Sequence, residues 1–242
     1  MYQVLTYATH AHGKFERLAK DPQVKVLGWG KPWKGFMDKF NGVLDYIKTV
    51  DDDTIIIFVD GFDSWVNGSS EKAVELFKQS GSGLIVSLDI HPRGSLLNKN
   101  IFGTCKDGFV ANSGMYMGYA WCIREVLESI VVKTCKDDQV TLNEVCGKFD
   151  FLDIDTDKTI FENIPCGSEY HGNAIFVSEP GERSVIRVMR GVIDYTQFFI
   201  NHILVLFLVL MFIKRNKIPI IFGLFSLTAL VYMLYCDTSC QC

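Results

Sequence analysis

Asp60 and Asp63 are two carboxylates three residues apart, closing the run Thr54-Ile55-Ile56-Ile57-Phe58-Val59-Asp60-Gly61-Phe62-Asp63. A β-branched and aromatic run of this kind reads as a buried strand of a parallel sheet. Packing does not call for an acidic end on such a strand. In open α/β sheets, ligands bind just beyond the carboxyl ends of the strands. Two hard oxygen donors there suit a divalent cation that keeps some waters and completes its shell with substrate phosphates. The alternative is a strand followed by an Asp-rich turn whose carboxylates cap backbone amides. Asp137 and Asp138 pose a similar choice, since acidic residues are favoured at a helix start by capping and the helix dipole. Lys39 follows Gly35 by one helical turn, where it either approaches phosphates or stays solvated.

The elements that must position these residues alternate between strand-like and helix-like segments, the mark of an α/β domain. Strands are expected over 3–8, 24–27, 54–59, 83–88 and 149–154, and helices over 13–19, 36–48, 70–79, 122–131 and from Asp137 to about Val145. Apolar residues at Phe36, Phe40, Val43, Leu44 and Ile47 have helical spacing, and Ser69 or Ser70 is a plausible N-cap for the next helix. Between the second strand and that first long helix lies Gly28-Trp29-Gly30-Lys31-Pro32-Trp33-Lys34-Gly35, a stretch rich in turn residues. No internal repeat or low-complexity tract interrupts 1–190, which reads as one domain.

The 242 residues carry a net charge of -4 and no long basic stripe, which argues against a nucleic-acid binder. The apolar excess lies toward the C-terminus, in runs 198–213 and 218–235 separated by Lys214-Arg215-Asn216-Lys217. These read as a membrane hairpin over 195–235, with a buried core hairpin as the alternative. A Cys-rich tail, 236–242, follows, and its cysteines are free, palmitoylated or disulfide-bonded. Cys105, Cys122, Cys135, Cys146 and Cys166 lack the spacing of zinc-ligand pairs. Met1 leads directly into a strand with no signal peptide ahead of it, so the expected topology is a membrane-anchored domain facing the cytosol rather than the ER or Golgi lumen. Asn67-Gly68-Ser69 has the form of an N-glycosylation acceptor and is read as a chance occurrence.

Taken in order, several short motifs resemble the glycosyltransferase domain at the N-terminus of procollagen lysyl hydroxylases. They are Tyr7-Ala8-Thr9, Val26-Leu27-Gly28-Trp29-Gly30, Trp33-Lys34-Gly35 and Phe58-Val59-Asp60-Gly61-Phe62-Asp63, followed by Asn112-Ser113-Gly114, Asp137-Asp138-Gln139, Ile160-Phe161-Glu162-Asn163 and His171-Gly172-Asn173. The resemblance implies a GT-A fold, a Rossmann-like α/β domain with a mostly parallel sheet. It also implies Mn²⁺, UDP-glucose or UDP-galactose as donor, and a collagen-like or other glycoprotein acceptor carrying hydroxylysine. By the same resemblance Asp60, Asp63 and His171 are the metal ligands, an imidazole among carboxylates being acceptable to Mn²⁺. Thr9 and Trp33 line the nucleotide pocket, the indole offering a face for stacking or else packing on its own surface loop. Lys39 reaches the phosphates, Asn112, Ser113 and Gly114 lie near the donor sugar with Gly172 and Asn173 beside the metal, and Asp137 and Asp138 face the sugar and acceptor as catalytic carboxylates.

Departures from the family pattern bear on the acceptor side. The family's gating Trp is absent where Asp89-Ile90-His91-Pro92 stands, the segment between Phe161 and His171 is short, and Ala174 replaces a glycine. The apolar runs stand where the family's hydroxylase region would follow. The expectation is therefore a membrane-anchored sugar transferase, with an inactive scaffold that serves as an interaction or assembly factor as the alternative.

Overall fold

The computed structural model describes residues 1–90, 99, 102–131, 137–165 and 167–180. The chain divides into two units, Met1–Glu182 and Arg183–Cys242. The expected hairpin and Cys-rich tail lie outside the described residues, as do His91, Pro92, Cys135 and Cys166. No described helix is long and apolar enough to cross a membrane.

The first unit is an α/β domain. Its strands are β1 (Tyr2–Tyr7), β2 (Val24–Leu27), β3 (Ile55–Val59), β4 (Ser64–Val66), β5 (Leu84–Leu88), β6 (Ala111–Tyr119), β7 (Leu152–Asp155), β8 (Phe161–Asn163) and β9 (Phe176–Ser178). Its helices are α1 (Phe15–Leu18), α2 (Met37–Ile47), α3 (Ser70–Ser80), α4 (Ala120–Val131) and α5 (Asp138–Val145). The main sheet has the order β2-β1-β3-β6-β5-β7, and β4-β9-β8 form a second, smaller sheet.

The main sheet is mixed rather than mostly parallel. β1 runs parallel to β2 and β3, and β5 runs parallel to β7, but β6 is antiparallel to both β3 and β5. β6 is not among the expected strands: every residue before Tyr119 is buried, but Asn112, Ser113, Gly114 and Gly118 break the apolar run by which a buried strand is read.

Side chains alternate between two cores. Ile56 and Phe58 of β3 point to the face covered by α2, α4 and α5, with Phe40, Tyr116, Ile123 and Leu142. Ile55, Ile57 and Val59 point to the other face, with Phe77, Phe161 and Phe176. A strand buried on both sides cannot slip by one residue without exchanging its two core sets, so its register is firmly set. That register fixes where Asp60 emerges. Ser69 caps α3 by accepting from Lys72 N at 3.2 Å, and Gly81 ends the helix at φ 74°.

Candidate functional site

The run that ends in Asp60 places that residue at the carboxyl edge of β3, and the reversed direction of β6 brings that strand's first residues to the same edge. Val59 is the Cα partner of Met115, and the Asp60 backbone N–H bonds the Gly114 carbonyl at 2.8 Å. On its other side β6 breaks register with β5: Val86 pairs with Tyr116, whereas Ser87 pairs with Asn112. Ser113, Gly114 and Met115 therefore bulge at the mouth of the sheet, a common device for aiming side chains at a ligand. A Cβ on Gly114 would stand 2.9 Å from Asn112 Oδ1, the same atom that accepts the Gly114 N–H at 2.8 Å. Gly61 is tighter, since a Cβ there would lie 2.6 Å from the Tyr7 carbonyl.

A charged network crosses this mouth. Lys39 Nζ on α2 lies 2.6 Å from Asp138 Oδ2 and 3.2 Å from Asp60 Oδ2. Ser113 Oγ donates to the same Asp138 oxygen at 2.5 Å, and Gly61 N donates to Asp60 Oδ1 at 2.8 Å. Lys39 is only 5% exposed, which removes the solvated alternative for this lysine. Burial alone would loosen its proton, but the carboxylates of Asp138 and then Asp60 outweigh that, and the net shift is upward. The Tyr116 hydroxyl is buried and has no hydrogen-bond partner among the described residues, and burial raises its pKa.

Asp63 accepts from Ser64 Oγ and Ser178 Oγ, both at 3.2 Å. Burial, then the charge of Asp60, push its carboxyl up to about 6. Asp137 is the N-cap of α5, accepting from Gln139 N at 2.9 Å and Val140 N at 3.1 Å. Burial, then Asp138, also push Asp137 up to about 6. The two neighbouring carboxylates thus divide their duties: Asp137 caps, while Asp138 joins Lys39 and Ser113.

Other expected residues stand apart from this network. Thr9 Oγ1 bonds His10 Nδ1 at 2.9 Å, and its carbonyl accepts from Gly30 N at 2.9 Å. Trp33 is 47% exposed, its ring 6.1 Å from the rings of both Tyr7 and Phe36. The His171 side chain is 82% exposed and has its Nε2 3.4 Å from Glu169 Oε2. Gly172 and Asn173 are exposed beside it. Among the described residues no group of three His, Cys, Asp or Glu side chains is placed to hold a metal, so the expected trio of Asp60, Asp63 and His171 is not assembled in this structure. The imidazole belongs to a loop closed by the Tyr170 hydroxyl, which accepts from Ala174 N at 2.7 Å.

Two further residues brace the site without having been anticipated as site residues. Asn143 accepts from Ala111 N at 2.8 Å and donates to Ala111 O at 2.9 Å, tying α5 to the first residue of β6. Gln139 accepts from Asn112 Nδ2 at 3.2 Å and donates to Asp89 Oδ2 at 2.8 Å. Asn143 follows Gln139 by four residues on α5, a spacing that puts both on one helix face. Two neutral amides on a helix otherwise buried there were the available signal.

The family model described as the PLOD GT domain matches residues 1–173. A procollagen-lysine,2-oxoglutarate 5-dioxygenase of Drosophila melanogaster is 27% identical over 181 residues, covering 68% of this chain and 25% of that protein. A multifunctional procollagen lysine hydroxylase and glycosyltransferase of Caenorhabditis elegans is 29% identical over 185 residues, covering 66% and 25%. The chain thus spans about a quarter of the length of the curated relatives it matches. Among solved structures, the galactosyltransferase LgtC with donor and acceptor sugar analogs aligns over 82% of this chain and 95% of its own. That alignment has 11% identity and a TM-score of 0.47, a level that carries no inference.

Proposed function

Because the chain belongs to the family of PLOD GT domains, we propose that it transfers glucose or galactose from a UDP-sugar to a hydroxylysine-linked site or another protein or glycan acceptor. The observation that carries this reading is the buried network Asp60–Lys39–Asp138–Ser113 at the mouth of the sheet. A strand end, a bulged strand start and a helix start converge there on one cation and two carboxylates. Such a site can receive a diphosphate and a polar sugar ring together.

The residues divide into those that hold the nucleotide and those that hold the sugar. Trp33, half exposed beside the buried Tyr7, offers the uracil an aromatic surface, with Thr9 at the adjoining strand end for the ribose. Asn112 and Ser113, fixed by Gln139 and Asp138, face the donor hydroxyls with amide and hydroxyl groups. Asp138 orients the acceptor hydroxyl and favours positive charge at the anomeric carbon. Lys39 bridges Asp60 and Asp138 and offsets the repulsion between them.

The carboxylate pair Asp60 and Asp63 suits the hard-oxygen side of a divalent site, Mn²⁺ by family resemblance. Burial and then the charge of Asp60 raise the Asp63 carboxyl to about 6, a shift that a bound cation would oppose. His171 would complete the ligand set only after its loop turned inward from Glu169. When bound, such an ion supplies charge neutralisation for the departing diphosphate.

The test is UDP release from UDP-glucose and UDP-galactose by the purified chain, with and without Mn²⁺. Asp60→Ala and Asp63→Ala are expected to lower turnover at least about 100-fold, the scale of losing a group that stabilises charge in the transition state. Unchanged turnover in both variants would remove the assignment. The outward His171 and the Lys39 already paired with Asp60 favour a second reading, a non-catalytic scaffold for interaction or assembly. Absence of UDP binding by calorimetry at saturating Mn²⁺ would select it. The apolar runs over 195–235 support a lipid anchor for the whole chain.

A further inference from the structure

Asn67-Gly68-Ser69 is the one Asn-X-Ser/Thr triplet in the 242 residues, and a triplet alone is a weak signal. Its setting adds to it. The three residues form the exposed turn between β4 and α3. The Asn67 carboxamide donates one N–H to the Ala174 carbonyl at 3.0 Å. A carboxamide has two N–H groups, so the other is left for a new bond while this contact persists. The backbone here is roomy as well, since a Cβ on Gly68 would meet nothing nearer than Ile175 at 3.4 Å.

A separate observation points to the compartment such a reaction needs. Cys105 and Cys146, 41 residues apart, are joined by a disulfide. Disulfides form and persist in secretory and other oxidising spaces and are rare in the cytosol. N-linked glycans are a mark of secreted proteins and their surface loops. The disulfide opposes a cytosolic placement of this domain, and an oxidising secretory space is where such a triplet meets its modifying enzyme.

We infer that Asn67 is an N-glycan acceptor and that the described domain matures in an oxidising lumen. An oligosaccharide is donated from a lipid-linked diphosphate: the bond from its anomeric carbon to the diphosphate oxygen breaks, a bond to Asn67 Nδ2 forms, and one amide proton leaves. The inference does not depend on the transferase reading.

The Ser69 hydroxyl serves both the triplet and the cap of α3, and that permits a clean test. Ser69→Asp keeps an excellent N-cap and destroys the triplet, whereas Ser69→Thr keeps both. The full chain is expressed in eukaryotic cells and compared by gel mobility before and after peptide N-glycosidase. The wild type and Ser69→Thr should each lose the mass of one glycan, and Ser69→Asp should match the treated wild type without treatment. Peptide mapping should find Asn67 converted to aspartate by the enzyme and the Cys105 and Cys146 peptides linked before reduction. A wild-type chain whose mobility and Asn67 peptide are unchanged by the enzyme overturns the site, whatever the state of the cysteines. Should Ser69→Asp fail to accumulate, the wild-type peptide map alone decides between glycosylated and bare Asn67.

Discussion

Removing the Lys39 ammonium would leave Asp60 and Asp138 facing one another without a counterion in a buried setting. Breaking a buried pair in this way costs about 3–5 kcal/mol, and for a domain of this size that lowers Tm by about 10 °C. Lys39→Met is therefore expected to melt well below the wild type, and adding Asp138→Asn should recover much of the loss. Thermal unfolding of the single and double variants checks this, and additive losses would dismiss the network. Asp137 makes a pH-dependent contribution of the opposite kind. Its folded-state pKa is raised to about 6, above the ordinary carboxylate value near 3.9, so the native state holds a proton that the unfolded chain releases. Stability accordingly falls as pH rises between about 4 and 6, by at most about 1.4 kcal/mol per pH unit from this group. Asp63, also raised to about 6, adds a slope of the same sign, so Asp137→Asn, which retains a good cap, should lessen the total slope in denaturant midpoints across this range; an unaltered slope would clear Asp137 of it. The carboxylate pair at 60 and 63 announced itself because an acidic end on a buried strand has no packing purpose. The burial of Lys39 was less open to view, since charge suggests solvent. Its place four residues before Val43, on the stripe that α2 buries, was the signal. The outward turn of His171 left no trace in the residue order.

β6 owes its useful geometry to α5. Asn143 satisfies both the N–H and the carbonyl of Ala111, which is fully buried. Asn143→Ala orphans both groups, and each buried unpaired group costs about 1–3 kcal/mol, so a loss of about 2–6 kcal/mol is expected. The same change should release Asn112 to Gly114 from their bulge and weaken UDP binding more than a distant core change of equal cost. Urea unfolding and calorimetry on one preparation separate the two effects; equal weakening by both would reduce Asn143 to a packing role. The longer elements were readable from periodicity, to within a residue or two for α2, α3 and β3. The strands β4, β8 and β9 were not, because three residues cannot display an alternation. Nor was the link from Cys105 to Cys146, since a separation of 41 residues carries no pattern of its own.

The whole domain follows from the placement of one strand. The α/β class was readable because strands and helices alternate in sequence. Strand direction was not, as both faces of β6 are covered and burial looks the same either way. Had β6 run parallel to β3, Asn112 to Gly114 would lie at the base of the sheet, far from Asp60. With it reversed, Leu88 and Ala111, which bound the connection between β5 and β6, are Cα partners at the ligand edge. The chain leaves and re-enters the scaffold at a single doorway. Residues can be gained or lost between those two points at little conformational cost, while every strand keeps its neighbours.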